Sequence, residues 1–160
     1  MIEELLSSET GKLLATFLIS MLPVIELRAG LPYGIVAGLS LPKAALAAIL
    51  GNMLPVPFIL LFIKKIFAFM RKHMPRLDRL VGKMEARAEK HRPQIEKWGY
   101  LGLMILVAIP LPGTGAWTGS LVAALLELDM KKSVPVIFLG VVIAACIMTL
   151  LTKLGIYAFF

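Results

Sequence analysis

The stretch Pro23-Val-Ile-Glu-Leu-Arg-Ala-Gly-Leu-Pro32 places two charged side chains, Glu26 and Arg28, in the middle of an otherwise apolar block. Charged side chains at membrane depth each cost roughly 2.5 to 3.5 kcal/mol, and those that are kept there usually serve a function. The block covers residues 13–39, which is long for one membrane span and short for two. The break near its centre predicts a hairpin of two short helices.

The composition of the whole chain predicts an integral membrane protein. Of its 160 residues 59% are hydrophobic, and the mean hydropathy is +0.86, both well above an ordinary soluble domain. The first ten residues carry three glutamates and neither Lys nor Arg, unlike a cleaved signal peptide. We therefore expect a single membrane domain, residues 1–160, that keeps its first apolar segment.

Positive charge is concentrated between the apolar blocks. The segment from Lys64 to Lys97 holds eleven basic and four acidic residues, a difference that equals the net charge of the chain, +7. Because loops rich in Lys and Arg stay in the cytoplasm, residues 64–98 are predicted to be cytoplasmic and both termini to lie outside the inner (plasma) membrane.

Apolar residues recur at helical spacing within this segment, between Pro75 and Pro93. The pattern predicts a basic amphipathic helix on anionic lipid or over the inner mouth of the protein. A solvated connector is the alternative. We expect no nucleic-acid binding, because membrane segments bracket the helix and interleaved stacking aromatics are lacking.

The apolar blocks give the two halves of the chain the same design. Blocks 42–63 and 134–152 have the length of single transmembrane helices, whereas block 100–126 breaks at its centre, at Ile109-Pro-Leu-Pro-Gly-Thr-Gly115. A leg of roughly 10 to 12 helical residues crosses about half of the hydrocarbon layer, which predicts re-entrant hairpins whose tips meet.

Each half then crosses the membrane once, so the second half is inverted relative to the first. The predicted fold is an all-α integral membrane protein of two inverted repeats, each a re-entrant helical hairpin plus one transmembrane helix, joined by the basic cytoplasmic helix. Fully crossing, proline-kinked helices at 13–39 and 100–126 are the alternative. They would place Lys131 and Lys132 outside, against the charge bias.

The first tip carries two candidate functional residues. Arg28 offers a planar fork that suits phosphate or carboxylate, and Glu26 could carry a proton. In an extended tip both side chains could face one cavity. The structural alternative is that the two charges neutralise each other or cap the hairpin backbone.

The second tip has no charged side chain, and its candidate binding groups are mainly backbone N–H groups. Gly113 and Gly115 permit turns with positive φ, and successive amides there could form an anion-binding nest at the start of a helix. Thr114 and Thr118 add hydroxyl groups, and Trp117 adds an indole N–H. The predicted substrate site thus comprises Arg28 and these residues of the second tip. The prolines predicted to bracket the two tips are Pro23, Pro32, Pro110 and Pro112.

Metal, cofactor and enzymatic chemistry are not expected. Cys146 is the only cysteine, and His73 and His91 both lie in the basic linker, so neither a thiol cluster nor a catalytic metal site is predicted. No apolar block contains a nucleophile with a base at a suitable spacing. We expect no catalytic residues and no cofactor.

The motifs Pro23-x-x-Glu26-x-Arg28-x-x-x-Pro32 and Pro110-x-Pro112-Gly113-x-Gly115, in a basic chain of this length, resemble the small multidrug export protein family over nearly the whole sequence. The family name implies efflux. The architecture also resembles the DedA and VTT membrane proteins, which implies movement of lipids such as undecaprenyl phosphate between leaflets. Those proteins typically carry acidic residues in the first hairpin and arginines in the second. Glu26 matches the first feature, whereas the second tip has no Arg.

The favoured hypothesis is a transporter or flippase for an amphipathic anion, above all a phosphate-bearing lipid carrier such as undecaprenyl phosphate, coupled to protons through Glu26. Proton-coupled export of cationic compounds is the first alternative, although Arg28 would repel cations. A non-transport membrane scaffold is the second. Expected partners are membrane lipids, with anionic lipid at the basic linker, and a second copy of the chain in a homodimer.

Overall fold

Eight α-helices make up most of residues 7–155, the part of the chain that the computed structural model describes. The helices are α1 (Glu9–Met21), α2 (Glu26–Val36), α3 (Leu41–Met53), α4 (Pro55–His73), α5 (Asp78–Lys90), α6 (Arg92–Ala108), α7 (Ala116–Leu125) and α8 (Met130–Lys153). A short 3-10 helix, Pro75–Leu77, precedes α5. Residues 7–155 contain no strand, which confirms the all-α prediction.

Helices α1 and α2 pack against each other as a hairpin. A Cβ on Gly30 would lie 1.8 Å from the Ser20 Oγ, and one on Gly34 would lie 2.8 Å from the Thr16 Oγ1. Both hydroxyls donate to carbonyls of their own helix, so they add no unpaired polar group to the contact. Small residues at this spacing allow the close approach.

The second half of the chain repeats this arrangement. Helix α6 is interrupted at Gly99, where φ is +56°, and its later part packs against α7. A Cβ on Gly119 would lie 2.5 Å from the Val107 Cγ2, and one on Gly140 in α8 would lie 2.7 Å from the Val107 Cβ. Each half therefore contains a short helical hairpin followed by a longer apolar helix. The position of the hairpins in a membrane, and the inversion, stay predictions.

Within residues 7–155, two helical stretches are long and apolar enough to cross a membrane: Leu41–His73, formed by α3 and α4, and α8. Helix α4 continues past Ile63, where the apolar block was predicted to end, as far as His73. The reason is that Lys, Arg and Met are good helix formers, so the helix outlasts the apolar pattern. Helix α8 begins before the predicted residue 134 because Asp129 caps it, its side chain accepting a hydrogen bond from the Lys131 N–H.

Helix α5 lies over the core instead of standing apart from it. Val81 and Ala88 on its apolar side are buried, and the helix contacts α4 and α7. Because α7 begins at the second tip, this packing brings the charged side of α5 close to the place where the two tips meet.

Candidate functional site

The side chain of Glu26 joins the two tips. Its Oε2 accepts a hydrogen bond from the Ala116 N–H at 3.0 Å, and its Oε1 accepts one from the Trp117 N–H at 3.0 Å. These amides open α7, where backbone N–H groups lack partners within the helix. Glu26, which is 3% exposed, therefore caps α7 from another part of the chain, with its charge at the positive end of the helix.

Arg28 also binds the second tip. Its Nη2 donates to the Thr114 carbonyl at 2.5 Å and to the Thr114 Oγ1 at 3.0 Å. That hydroxyl lies 2.6 Å from the Ile109 carbonyl oxygen and 2.7 Å from that of Leu111, and it accepts from the Leu111 N–H. Arg28 thus holds a tightly turned segment in place.

Glu26 and Arg28 do not form an ion pair with each other. No carboxylate of the described residues lies within ion-pair distance of Arg28. The two charges instead bind neighbouring backbone groups of the second tip, the carboxylate taking N–H donors and the guanidinium taking a carbonyl. Of the two structural alternatives, the geometry matches capping rather than direct neutralisation.

The first tip is a tight turn and not the extended segment that was expected. Val24 and Glu26 adopt left-handed φ values of +75° and +51°, and α2 already begins at Glu26. A β-branched residue in this region is strained. Because of the turn, Glu26 and Arg28 point to different places on the second tip even though only one residue separates them.

The predicted anion nest is filled from within the protein. The Thr114 N–H donates to the Leu111 carbonyl and the Gly115 N–H to the Leu106 carbonyl. The next two amides along the chain bind Glu26. Gly115 has a φ of +111°, and a Cβ there would lie 2.2 Å from the Glu26 Oε2, so both the backbone and the close approach require glycine.

Trp117 ties the second hairpin to α1. Its indole N–H donates to the carbonyl of Met21, the last residue of α1, at 3.1 Å. Asn52 of α3 lies in the same region: it is 3% exposed, and its Oδ1 is buried without a hydrogen-bond partner. Helices α1, α2, α3 and α7 therefore meet around Glu26 and Trp117.

A basic cavity of about 660 Å³ lies beside this junction. It is lined by Val24, Arg28, Arg87, Lys90, His91, Pro112 and Gly113. Arg87 and Lys90 come from α5, and neither forms an ion pair within residues 7–155. Burial lowers the pKa of His91, and the nearby charges of Lys90 and Arg87 lower it further, against a hydrogen bond with the Gly113 backbone.

A second cavity of about 440 Å³ shares Val24, Arg87 and Gly113 with the basic one. Its charged lining groups are Glu26, Lys83 and Arg87. The other lining residues are Pro23, Val24, Ile59, Ile63, Leu80, Met84, Gly113, Thr114, Trp117, Thr118 and Leu121. We call it the central cavity, because it shares lining residues both with the basic cavity and with an apolar groove along α4.

Most of the residues predicted from the sequence meet at these cavities. Glu26, Pro23, Gly113, Thr114, Trp117 and Thr118 line the central cavity, and Arg28, Pro112 and Gly113 line the basic cavity. Pro32, predicted at a tip, lies inside α2. Pro110 and Gly115 are buried at the second tip and line neither cavity.

The sequence predicts a basic helix on anionic lipid or over the inner mouth of the protein, but it assigns none of the helix's side chains to the substrate site. Lys83, Arg87 and Lys90 of α5 nevertheless line the two cavities. Their spacing of four and three residues puts them on one side of a helix, and this spacing was the available signal.

Comparison with known proteins gave one match. Neither the curated proteins nor the solved structures contain a match to this chain. A family model described as "Putative small multi-drug export protein" matches residues 26–147, a range that begins at Glu26 in the first tip and includes the second tip, α5 and most of α8. Because this match covers well over half of the chain, the chain belongs to the family of putative small multi-drug export proteins.

Proposed function

We propose that the protein is a membrane transporter that moves an amphipathic anion and binds its charged head group in the basic cavity. The family name points to export, and the described part of the chain contains two helical stretches that are long and apolar enough to cross a membrane. The proposal depends mainly on one observation: Arg28, Arg87 and Lys90 line a concave surface to which residues 7–155 contribute no acidic side chain. Such a surface attracts and holds anions.

The shape of the site favours an amphiphile over a small inorganic anion. The basic cavity shares a wall with the central cavity, where apolar side chains predominate. A phosphate head would bind the guanidinium groups, which suit its geometry, while apolar atoms would contact residues such as Ile59 and Leu121. A phosphate-bearing lipid carrier such as undecaprenyl phosphate is one member of this substrate class.

In this proposal the α1–α2 and α6–α7 hairpins are re-entrant and inverted relative to each other. Their tips meet inside the membrane, and α5 covers them from the cytoplasmic side. Non-helical backbone at that depth is acceptable because its polar groups are bonded across the tips. Anionic lipid around α5 would be held by its remaining basic side chains.

Glu26 would couple transport to protons. Its carboxylate occupies the amides of Ala116 and Trp117, and it also lines the central cavity. Protonation would remove the internal negative charge from the positive end of α7, leaving that end available to the anion of the substrate. Proton binding and substrate binding would then support each other.

The test compares two arginines of α5 in proteoliposomes that contain a fluorescent alkyl phosphate. Arg87 lines both cavities, whereas Arg79 lines neither. Losing one charge-assisted hydrogen bond costs about 1.5 kcal/mol or more, so Arg87→Gln should slow movement between leaflets about tenfold. Arg79→Gln is the matched control and should change it less than twofold.

Dithionite bleaches the fluorescent lipid only in the outer leaflet, so movement is measured by the rate at which lipid from the inner leaflet becomes bleached. Transport that depends on the protein but responds equally to both substitutions would exclude the basic cavity as the head-group site. Absence of any transport by the wild-type protein would favour the scaffold hypothesis.

Proton-coupled export of cationic compounds is the second candidate function. It is favoured by the family name and by Glu26 and Trp117, which together line the central cavity, since a carboxylate and an aromatic face both attract cations. It is opposed by Lys83 and Arg87 in the same wall. Efflux of a cationic dye that is lost in Glu26→Gln and kept in Arg87→Gln would reverse the ranking.

A further inference from the structure

An apolar groove runs along α4 on the surface of the protein. Its volume is about 660 Å³, and it is lined by Pro55, Phe58, Ile59, Phe62, Ile63, Lys65, Ile66, Phe69 and Trp117. Phe58 is 58% and Phe69 57% exposed, so within the described part of the chain nothing covers the aromatic side chains. Among the described residues of the lining, Lys65 alone is charged.

The groove adjoins the central cavity. Ile59, Ile63 and Trp117 belong to the walls of both, just as Arg87 belongs to the walls of the central and the basic cavity. The three spaces therefore lie next to one another, with the central cavity between the other two. Their lining changes from cationic, through mixed, to aromatic and aliphatic.

We infer that the groove binds the apolar chain of the transported anion, so that the substrate is a long-chain phosphate or similar amphiphile that enters sideways from the lipid. This inference rests on the proposed function, since the basic cavity must hold the head group. From Pro55 to Phe69 the groove follows α4 for about 21 Å, the length of a long lipid chain rather than that of a drug molecule.

The position of the groove beside the two cavities and the positive charge of Arg87 both favour a lipid chain over a protein helix in the groove. A lipid chain has no polar groups along its length, which suits a wall made of aliphatic and aromatic side chains. Its one charged end would reach Arg87, which takes part in no ion pair within residues 7–155. An apolar protein segment in the groove would bring no anion to Arg87.

The test uses the full-length protein in nanodiscs and dodecyl phosphate brominated near the end of its chain. Trp98→Phe leaves Trp117 as the only tryptophan, and bromine quenches indole fluorescence on contact. We expect saturable quenching of Trp117. Phe62→Ala, which removes a groove side chain, should weaken the affinity about fivefold or more.

Leu61→Ala is the matched control, because Leu61 is similarly exposed on α4 but does not line the groove. It should leave the affinity within twofold. Equal effects of the two substitutions would overturn the inference, as would equal quenching by a brominated alkane that lacks the phosphate. Disulfide-linked dimers of Phe62→Cys in a Cys146→Ser background would show that a second copy of the chain fills the groove, and would also overturn it.

Butyl phosphate separates failure of this inference from failure of the proposed function. It should compete with dodecyl phosphate in a way that depends on Arg87 but not on Phe62. If it does so while Phe62→Ala has no effect on dodecyl phosphate, the basic cavity still binds the head group and only the tail site is refuted. If Arg87→Gln affects neither ligand, the proposed function fails, and the inference fails with it.

Discussion

Replacing Gly115 by alanine tests whether the contact between Glu26 and α7 holds the two tips together. The new Cβ would lie 2.2 Å from the Glu26 Oε2 and 2.8 Å from its Cδ. Since the backbone of Gly115 is fixed by the start of α7, the carboxylate has to move. It then loses its hydrogen bonds with the N–H groups of Ala116 and Trp117.

The expected loss of stability has two parts. The backbone of Gly115, with φ +111° and ψ −173°, lies in a region that is essentially restricted to glycine, and alanine there costs about 1 to 3 kcal/mol. The two hydrogen bonds with a charged acceptor are worth about 1.5 to 3 kcal/mol each, so their loss adds about 3 to 6 kcal/mol. Only the second part depends on Glu26.

A double-mutant cycle separates the two parts. Unfolding by SDS in mixed micelles should show a coupling of about 3 to 6 kcal/mol between Gly115→Ala and Glu26→Ala, because without the carboxylate only the backbone part remains. Gly113→Ala is the control: its φ is +85°, but no atom lies within 4 Å of the added Cβ, so it should show no coupling. A Gly115→Ala cost that is the same with and without Glu26 would refute the capping role.

Three further predictions follow from single positions. Gly51→Ala should lower the free energy of unfolding by about 1 to 3 kcal/mol, because its Cβ would lie 2.2 Å from a carbonyl oxygen of α1, whereas Gly82→Ala, with open space around it, should raise it by up to about 1 kcal/mol. Val24→Gly should leave the free energy of unfolding unchanged or raise it by up to about 1 kcal/mol, since it relieves a φ of +75° at an exposed residue. Val36→Gly in α2 should lower it by about 0.5 to 1 kcal/mol. The SDS titration measures both pairs of variants, and the opposite order within either pair would contradict the local geometry. Burial lowers the pKa of His91 below its ordinary value of 6.5, so the ring gains its positive charge only at more acidic pH. The affinity of the protein for an alkyl sulfonate, whose own charge is constant, should therefore rise as the pH falls below about 6.5. In His91→Gln the affinity should lose this pH dependence.

Several features of the fold could be predicted because they depend on local sequence. Proline and glycine weaken helices where they cluster, so the breaks near Pro23 and Pro112 could be located without a structure, whereas the isolated Pro32 lies inside α2. The helix after Pro75 followed from apolar spacing. Helix formation beyond the apolar block, as in α4, was missed because hydropathy marks lipid contact and not the end of hydrogen bonding.

The partners of the charged residues could not be predicted from the sequence. Glu26 binds amides ninety residues away along the chain, and those amides are free only because α7 begins at Ala116. From the sequence alone, an ion pair between Glu26 and Arg28 was equally plausible. In the same way, the apolar side of α5 suits lipid and protein alike, so only the packing of Val81 and Ala88 shows which one it covers.

The position of Glu26 links the strain in the first tip to the state of the site. The left-handed φ values of Val24 and Glu26 are maintained by bonds that hold Glu26 against α7, since strained backbone persists only where its surroundings fix it. Loss of the negative charge would weaken those bonds and release the turn at the same moment as it frees the N-terminus of α7. By linkage, an anion that takes the place of Glu26 must favour protonation of Glu26 by the same factor. In the proposed transporter, proton coupling therefore needs no site beyond the one that already holds the two tips together.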